Sequence, residues 1–518
     1  MKNALLKFNT FFLALLVVVT VGCASVDYDY PREESFSPDT SKTQNTYFGR
    51  YSATELPKHP AGMSGFMLLG DGVEAFAARL MMADWAQQTL DAQYYLLTDD
   101  VIGYAFIASL LKAADRGVRV RLLLDDMLTQ GYDLGMVALD SHPNIELRVF
   151  NPFTSRTFRP FDLPKFSRLN RRMHNKSFTV DNQLTLIGGR NIAGEYFGAR
   201  ADLNFGDLDV VALGPVVEDV SVMFDEYWNS SGALPVPAFA KSSKQSSSEL
   251  EIFRARVKEK IDAAVAGVYV DALGEDYMRL LMEESDRIEW ANYKLIYDAP
   301  SKAILGEDSV KPYIIEDIES AIRQGEKELI LVSPYFVPLK AGEAFFQELV
   351  DRGMDVIIVT NSLAANNHGA VHSGYAPSRN RLLEMGVRLY EVKSQGISQE
   401  YERVGHENSR ATLHTKAFLV DRSKLFIGSF NWDPRSININ TEMGVLIDSP
   451  ELGKVATRNF DLKLDEKTYE VVLNDKGQLR WIDRSGDNEL VLNKEPDTSW
   501  WKRFTTGFMG ILPIKSQL

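Results

Sequence analysis

A pattern of histidine, lysine and aspartate occurs twice in this chain at identical spacing, and this duplication constrains the fold more than any other feature. The first copy, "MHNKSFTVDNQLTLIGGRN", contains His174 and Lys176. The second copy, "LHTKAFLVDRSKLFIGSFN", contains His414 and Lys416. In both copies an asparagine follows the histidine by 17 residues. The sequence therefore predicts two copies of one structural unit.

The sequence around each motif alternates between helical and strand patterns. In the first copy "GVEAFAARLMMADWAQQ" has helical periodicity, and "LDAQYYLL", "VRVRLLL" and "IELRVFN" are short apolar or alternating segments. The same order returns in "IESAIRQGEK", "LILVSPYFV", "AFFQELVDRG" and "DVIIVTN". This alternation predicts an α/β sheet that is covered by helices on both faces. We expect the two domains at 61–233 and 301–450, related by a pseudo-twofold axis.

The segments outside the repeats have other expected roles. We interpret 1–22 as a signal peptide, because an apolar run too short to span a membrane follows Lys2 and Lys7. Cys23 is the only cysteine, and "TVGC" before Ala24 resembles a bacterial lipobox. We therefore expect a lipoprotein that is anchored by Cys23, faces the periplasm and lies in the outer membrane. The remaining expectations are a flexible tether at 23–60, a linker with connecting helices at 234–300 and a membrane-contacting C-terminal extension at 451–518.

The motif residues suit phosphodiester chemistry. Residues i and i+2 of a strand project to the same face, so each histidine lies beside the lysine of its own motif. A histidine can act as a nucleophile or as a general acid, and a lysine can neutralise a phosphate oxygen. Two copies that face each other would place two histidines and two lysines around one phosphorus. We therefore expect phosphodiester cleavage without a metal or any other cofactor.

These motifs resemble those of the phospholipase D superfamily, and "NSLAANNHGAVHSGYAPSRNRLL" and "GSFNWDPRS" are similar to the bacterial cardiolipin synthases of the C type. The resemblance implies phospholipase D-type α/β/α sandwich domains with the active site at their interface. It implies that His174 is the nucleophile, which forms a phosphohistidine, and that His414 is the acid and later the base; the reverse order stays open. The residues that it implies for phosphate binding are Lys176, Lys416, Asn191, Asn431, Ser429 and, through its backbone alone, Gly189.

Each catalytic histidine also needs a carboxylate that holds its tautomer. We expect Glu442 to serve His414, which it follows by 28 residues. We expect Asp207 to serve His174, although five more residues separate that pair, with Asp209 as the alternative.

The aspartates of the two motifs, Asp181 and Asp421, belong to the catalytic signature of the superfamily. Each follows its histidine by seven residues, an odd offset that points to the opposite face of a strand. We therefore interpret both as structural residues that do not touch the substrate.

The resemblance implies a phosphatidyltransferase that makes cardiolipin from phosphatidylglycerol and a second phospholipid; the alternatives are a phospholipid hydrolase, a nuclease, and a lipid-binding protein without activity. The net charge of −14 argues against a general nucleic-acid binder. The stretch 154–176 combines basic and aromatic residues, which suit either nucleic acid or a lipid headgroup. The C-terminal "WWKRFTTGFMGILP" has the composition of a segment at a membrane interface. We expect anionic and zwitterionic phospholipids as partners and no nucleic acid; whether a helper protein takes part stays open.

Overall fold

The structure is a computed structural model that describes residues 26–156, 159–240, 247–263, 268–283, 287–305, 313–394, 410–486, 488–511 and 517. The predicted signal peptide and Cys23 lie outside the described residues. The strands are β1 (Ser64–Leu69), β2 (Thr89–Tyr94), β3 (Arg119–Asp125), β4 (Ile145–Phe150), β5 (Ser177–Val180), β6 (Leu184–Gly188), β7 (Leu203–Gly206), β8 (Asp209–Leu213), β9 (Ala233–Pro235), β10 (Glu289–Tyr297), β11 (Glu328–Val332), β12 (Asp355–Asn361), β13 (Arg388–Val392), β14 (Arg410–Leu413), β15 (Ala417–Val420), β16 (Lys424–Gly428), β17 (Met443–Asp448), β18 (Thr468–Leu473), β19 (Leu479–Asp483) and β20 (Leu490–Leu492).

The described α-helices connect these strands. They are α1 (Thr40–Thr43), α2 (Tyr47–Glu55), α3 (Gly72–Trp85), α4 (Val101–Asp115), α5 (Asp133–Asp140), α6 (Phe166–Leu169), α7 (Pro215–Asn229), α8 (Ser247–Asp262), α9 (Val268–Glu283), α10 (Ser301–Leu305), α11 (Ile314–Arg323), α12 (Leu339–Asp351), α13 (Gly369–Tyr375), α14 (Arg379–Glu384), α15 (Pro434–Asn438), α16 (Pro450–Lys467) and α17 (Trp500–Met509). Short 3₁₀ turns occur at Leu56–Lys58, Arg159–Lys165, Gly194–Tyr196, Val236–Ala238 and Ala376–Ser378.

The two copies form one continuous sheet whose strand order mirrors itself about its centre. The first half has the order β9-β4-β3-β2-β5-β6-β8-β1, in which β2, β3 and β4 are parallel. The second half continues as β10-β17-β16-β15-β11-β12-β13-β18. The halves join where β1 pairs with β10 in the antiparallel direction. This order confirms the predicted duplication.

Side chains of successive sheet residues pack into different apolar layers. In β8, Val210 and Ala212 lie in a central layer, whereas Val211 and Leu213 lie in an outer layer of the first half. Helix α7 and strands of both halves supply the central layer, and a third layer covers the outer face of the second half. Helices therefore cover both faces of the sheet, as the alternating pattern predicts. The shared central layer holds the two halves against each other.

The dipeptide Arg-Gly occurs at 116–117 in the first copy and at 352–353 in the second, and its glycine ends equivalent helices. Gly117 follows α4 and Gly353 follows α12, with φ angles of +94° and +86°. Glycine adopts this left-handed backbone conformation without a steric penalty, so both helices stop there and a buried strand begins.

The predicted flexible tether is wrong for its described part, from residue 26 to residue 60. The buried guanidinium of Arg121 donates hydrogen bonds to the carbonyl oxygen of Ser35 and to the hydroxyl of Ser37. That hydroxyl donates in turn to Asp91, and Phe48 lies in the core. A polar segment can be ordered when its hydroxyl and carbonyl groups satisfy a buried charge, and the composition does not reveal this.

The predicted linker and C-terminal extension also contribute to the sheet. Ala233–Pro235 forms the edge strand β9 beside β4, and Leu234 is buried. At the other end β18 pairs with β13, and β19 and β20 continue the sheet. Short apolar runs between polar residues are sufficient for edge strands, and strands were predicted in neither segment.

Among the helices that the structure describes, none combines the length and the apolar character needed to cross a bilayer.

Candidate active site

The two motif segments run in extended conformation immediately before β5 and β15. Nζ of Lys176 donates a hydrogen bond of 2.6 Å to the carbonyl oxygen of His174. Nζ of Lys416 donates one of 2.5 Å to the carbonyl oxygen of His414. All four residues are buried. Each histidine therefore lies beside the lysine of its own motif, as the spacing predicts.

Each histidine is bound by the carboxylate of the other copy. Nδ1 of His174 lies 2.8 Å from Oε2 of Glu442. Nδ1 of His414 lies 2.6 Å from Oδ2 of Asp207. The expectation that each carboxylate serves the histidine of its own copy is therefore wrong. Asp209, the alternative, binds the guanidinium of Arg79.

Backbone hydrogen bonds explain the exchange of carboxylates. The amide of His174 donates to the carbonyl oxygen of Thr441 at 2.9 Å, and the amide of His414 donates to that of Gly206 at 2.7 Å. Thr441 directly precedes Glu442, and Gly206 directly precedes Asp207. Each carboxylate segment thus crosses to the opposite motif and is fixed there. The result is one centre that both copies complete.

The carboxylate of Glu442 has a hydrogen-bond donor on each oxygen. Ser429 donates to Oε2, which also faces His174, and Ser436 donates to Oε1 at 2.8 Å. The amide of Glu442 donates to the buried carboxylate of Asp298. Ser429 was predicted to bind phosphate, but its hydroxyl is committed to Glu442. The structure therefore places Ser429 as a group that orients this carboxylate.

Gly189 stands where the second copy has Ser429, and the structure explains the difference. A Cβ atom at Gly189 would lie 2.3 Å from Oδ1 of Asp207, closer than side chains can approach. Its amide donates to the carbonyl oxygen of Leu208 at 3.3 Å. The predicted role of Gly189 as a backbone donor to phosphate is therefore not what the structure shows. Because glycine has no side chain, the carboxylate of Asp207 fits beside it.

The ionisation of these groups follows from burial and from their neighbours. Burial, together with the neighbouring lysines, lowers the pKa of His174 to about 4 and that of His414 to about 3. Burial acts to raise the pKa of Asp207 and Glu442, but the histidines and lysines outweigh it and hold both below their ordinary values. Ionised carboxylates can only accept hydrogen bonds, so each imidazole donates from Nδ1. Each Nε2 then carries the lone pair, and on His414 this atom faces Nζ of Lys416 at 3.0 Å.

The two lysines make the centre a strong binding site for an anion. Burial lowers the pKa of Lys416 to about 8. Burial also holds the pKa of Lys176 well below its ordinary value, and the charge of Lys416 contributes to this shift. Two buried cations that destabilise each other gain from the arrival of a negative charge. A phosphodiester supplies that charge.

The predicted asparagines lie at the same centre. Nδ2 of Asn191 donates to the hydroxyl of Tyr196 at 3.0 Å, and that hydroxyl lies 3.5 Å from Nε2 of His414. Within the described chain, the buried Oδ1 atoms of Asn191 and Asn431 have no hydrogen-bond partner. Both amides thus retain hydrogen-bonding capacity that a bound substrate can use.

The motif aspartates lie away from the histidines. Asp181 accepts hydrogen bonds from the amides of residues 87, 88 and 89, at the start of β2. Asp421 accepts from those of residues 326, 327 and 328, at the start of β11. Both aspartates begin a tight turn, with φ angles of +54° and +49°. They fix the hairpin that follows each motif to the neighbouring strand, in agreement with a structural role.

Three aromatic residues around the histidines were not predicted from the sequence. The ring of Tyr95 packs edge-on against His174 with a centroid distance of 5.1 Å. Tyr196 packs in the same way on His414 at 4.9 Å, and Phe205 stacks on that ring at 5.3 Å. Tyr95 lies within the apolar strand pattern "LDAQYYLL" and Tyr196 follows Asn191 by five residues, but neither position indicates contact with a histidine.

The basic stretch before the first motif is largely used inside the fold. Arg156 forms ion pairs with Asp126 and Asp133, and Arg172 forms one with Asp125. These guanidinium groups are therefore occupied and stabilise the approach to the first motif.

In the described part of the chain, no group of three or more His, Cys, Asp or Glu residues is arranged to hold a metal ion.

Comparison with known proteins gives the relatives of this chain. A family described as "Cardiolipin synthase, PLD-like domain" matches residues 80–228 and 318–463. Cardiolipin synthase C of Escherichia coli (strain K12) is 42% identical over 484 residues, which are 90% of this chain and 99% of that protein. A cardiolipin synthase of Staphylococcus aureus (strain N315) is 23% identical over 399 residues, 75% of this chain and 65% of that protein. Phosphatidylserine synthase of Haemophilus influenzae shares the fold with a TM-score of 0.55 at 12% identity, over 90% of this chain and 99% of that chain.

Proposed function

Because this chain belongs to the cardiolipin synthase family with phospholipase D-like domains, we propose that it is a phosphatidyltransferase that makes cardiolipin. It takes a phosphatidyl group from one phospholipid and transfers it to a hydroxyl group of phosphatidylglycerol. The observation that carries this proposal is the exchanged pairing of His174 with Glu442 and of His414 with Asp207. This pairing presents two neutral imidazoles beside two buried lysines, which suits a covalent phosphoryl transfer.

The first step forms a phosphohistidine. The lone pair on Nε2 of His174 attacks the phosphorus, and the bond from phosphorus to the headgroup alcohol breaks. The leaving alkoxide takes a proton from His414. A bound phosphodiester raises the pKa of His414 by its negative charge, so that Nε2 takes up from solvent the proton that it then donates. The products of this step are a phosphatidyl group on His174 and a free alcohol.

The second step transfers the phosphatidyl group to the acceptor lipid. His414, now neutral, accepts a proton from the hydroxyl of phosphatidylglycerol. The oxygen attacks phosphorus, and the bond to Nε2 of His174 breaks. Lys176 and Lys416 stabilise the negative charge that is spread over the phosphate oxygens in both transition states.

The surroundings of the two rings support His174 as the nucleophile. Nε2 of His414 has Nζ of Lys416 at 3.0 Å and the hydroxyl of Tyr196 at 3.5 Å. Within the described chain, the side-chain hydrogen bond of His174 involves only Nδ1. The nucleophilic lone pair of His174 is therefore unobstructed, and His414 lies among groups that can move a proton.

The test uses the purified full-length protein in detergent with phosphatidylglycerol, with and without phosphatidylethanolamine, in the presence of a chelator. Mass spectrometry of the lipids should find cardiolipin, and dependence on phosphatidylethanolamine would identify the donor lipid. His174→Ala should abolish the product, whereas His59→Ala, a histidine stacked on Trp290, should not. Phosphatidic acid as the only product, or no lipid turnover at all, would contradict the proposal.

We also propose that the protein is a lipoprotein of the outer membrane that faces the periplasm and is anchored through Cys23. Val26 is already buried in the first half, so the anchor lies three residues from the folded body. Three extended residues span about 10 Å, so the fold would be held close to the bilayer. Labelling with an alkyne fatty acid and fractionation of the membranes tests this, and Cys23→Ala should lose the label.

A second contact with the membrane is proposed at α17. The exposed face of this helix carries Trp500, Trp501, Phe504 and Phe508, which are 65%, 62%, 51% and 59% exposed. Trp500 stacks on Phe504 at 5.2 Å, so these rings form one continuous patch. A patch of tryptophan and phenylalanine on an amphipathic helix suits the interface of a lipid bilayer.

The position of α17 favours contact with lipid near the active site. Nζ of Lys502 donates to the carbonyl oxygen of Ala364, and Thr412 in β14 donates to that of Ala365. Strand β14 ends at Leu413, directly before His414. The helix that carries the aromatic patch is thus bonded to Ala364, and the next residue is bonded to the strand that leads into the second motif.

Vesicle sedimentation tests this contact in the Cys23→Ala background, which removes the proposed anchor. Replacing both Trp500 and Trp501 by alanine should lower binding to phosphatidylglycerol vesicles by about tenfold or more. Phe36→Ala removes another exposed aromatic side chain and serves as the control. Equal loss in both variants would contradict a specific role of α17.

A further inference from the structure

We infer that a cavity in the first half, beside the catalytic centre, binds an acyl chain of the donor phospholipid. The cavity lies among α4, α5 and α8 and the strands β3 and β4, with a volume of about 230 Å³. This volume is below the roughly 300–1,000 Å³ of pockets that enclose a whole small ligand, so the cavity would take one part of a single acyl chain. The inference rests on the proposed function, because it names a subsite for the same substrate.

The cavity and the catalytic centre share a wall. Tyr95 lines the cavity, and the same ring packs against His174. Nζ of Lys176 lies 5.5 Å from the centre of that ring. Asp125 also lines the cavity, and its carboxylate accepts a hydrogen bond from the amide of Met173. A phosphate held by His174 and Lys176 would therefore place its glycerol at the edge of Tyr95, next to the cavity.

The chemistry of the lining selects an apolar ligand. Aliphatic and aromatic side chains dominate it, among them Leu97, Ile107, Leu122, Leu124, Leu139 and Phe253. Its polar groups are already engaged: Asp99 accepts from Tyr104 and pairs with Arg256, and Thr129 donates to Asp126. A charged or hydroxylated headgroup would lose its hydration there without gaining partners. A hydrocarbon chain gains free energy with each buried methylene.

The mouth of the cavity faces outward through apolar residues. Leu134 is 84% exposed and Leu128 is 47% exposed, and both line the cavity. Leucines exposed to this degree beside an apolar cavity mark an entry for a hydrophobic ligand. A lipid in a micelle or bilayer could thus insert one chain here while its phosphate reaches His174.

Gly135 offers a way to fill the cavity without disturbing the centre. This residue lies in α5, and a Cβ atom there would point at Phe253 from 3.4 Å. Gly135→Leu therefore projects into the cavity, and leucine favours the helix more than glycine does. The matched control is Gly274→Leu in α9, where a Cβ atom would meet nothing within 4 Å.

The binding test uses phosphatidylglycerol with a diazirine in its acyl chain, in detergent, and maps the photo-crosslinks on the full-length protein by mass spectrometry. The crosslinks should concentrate on α4, α5 and the segment that contains Leu128. They should fall at least about fivefold in Gly135→Leu and stay unchanged in Gly274→Leu. Crosslinks spread over the surface, or unaffected by Gly135→Leu, would overturn the inference even if the protein turned over no lipid.

The kinetic test compares phosphatidylglycerols with short and long acyl chains. Each methylene that Gly135→Leu keeps out of the cavity should lower kcat/KM by up to about fourfold. Long-chain lipids should therefore lose activity, whereas a dihexanoyl lipid should not. An unchanged chain-length profile would overturn the acyl subsite while leaving cardiolipin synthesis intact. If the wild-type protein turned over no lipid, the proposed function would be rejected. The crosslinks would still show whether the cavity binds an acyl chain.

Discussion

Nδ1 of His174 and Oε2 of Glu442 lie 2.8 Å apart, although 268 residues separate them in the chain. The mirrored contact joins His414 to Asp207, across 207 residues. Because each imidazole is oriented by the opposite copy, neither copy can build a complete centre. The site therefore requires both copies, and one copy alone would not be an active domain.

Replacing one carboxylate should affect the histidine of the other copy. Glu442→Gln replaces the carboxylate by an amide, which can also present a donor to Nδ1 and so no longer fixes the tautomer of His174, and it should lower kcat/KM by about 10²–10⁴-fold. In a sample with ¹⁵N-labelled histidine, the ring signals of His174 should shift while those of His414 stay in place. Asp207→Asn should give the reverse pattern. A shift of His414 in Glu442→Gln would contradict the exchanged pairing.

The activity should depend on pH with two limbs. With a phosphatidyl ester of p-nitrophenol, whose leaving group needs no proton from His414, kcat/KM should fall as the pH drops through about 4, because protonation removes the lone pair of His174. Loss of the ammonium charge of Lys416 should lower kcat/KM as the pH rises through about 8. Lys416→Arg keeps its charge and should remove the contribution of Lys416 to this limb, which leaves that of Lys176, although the different geometry of the guanidinium lowers the rate. An acid limb near the ordinary histidine pKa of about 6.5 would contradict the buried, neutral imidazole.

The glycine of the first copy and the serine of the second should not be interchangeable. Gly189→Ser places a side chain within 2.3 Å of the Asp207 carboxylate and should displace it from His414. We expect kcat/KM to fall by at least about 100-fold. Ser429→Gly removes a single hydrogen bond to Glu442 and should cost about tenfold. Wild-type activity in Gly189→Ser would show that Asp207 is not needed in the observed position.

The motif aspartates should matter for stability more than for catalysis. Asp181→Asn weakens three hydrogen bonds from backbone amides at a fully buried site and should lower the free energy of unfolding by about 1–3 kcal/mol. Asp421→Asn should cost less, because that residue is partly exposed.

Thermal unfolding and kcat/KM, measured on the same samples of these two variants, separate the two roles. We expect a lower midpoint of unfolding with kcat/KM within about threefold of the wild type. A loss of activity without a loss of stability would assign Asp181 to the chemistry.

The sequence was sufficient to predict the duplicated α/β fold, because matched motifs and alternating patterns are local properties. It also identified both histidines and both lysines, which lie at one centre. The pairing of carboxylates could not be predicted, because spacing along the chain does not reveal which copy a crossing segment faces.

The hydrogen-bond partners of polar residues were the other source of error. Ser429 was predicted to bind phosphate, yet its hydroxyl donates to Glu442. The order of the segment from 26 to 60 depends on its contacts with the buried Arg121, which lies far away in the sequence. Contacts of this kind depend on the assembled fold, so composition alone predicts a flexible tether there.

The central claim is that His174 carries the phosphatidyl group and that His414 handles the protons. The most direct measurement uses a phosphatidyl ester of p-nitrophenol, whose leaving group departs without a proton. His414→Ala should release about one equivalent of p-nitrophenolate per enzyme and then stall, because no base activates the acceptor. Mass spectrometry should find the phosphatidyl group on the peptide that contains His174, and His174→Ala should give no burst. A burst in His174→Ala with the adduct on His414, or steady turnover without any adduct, would contradict the account.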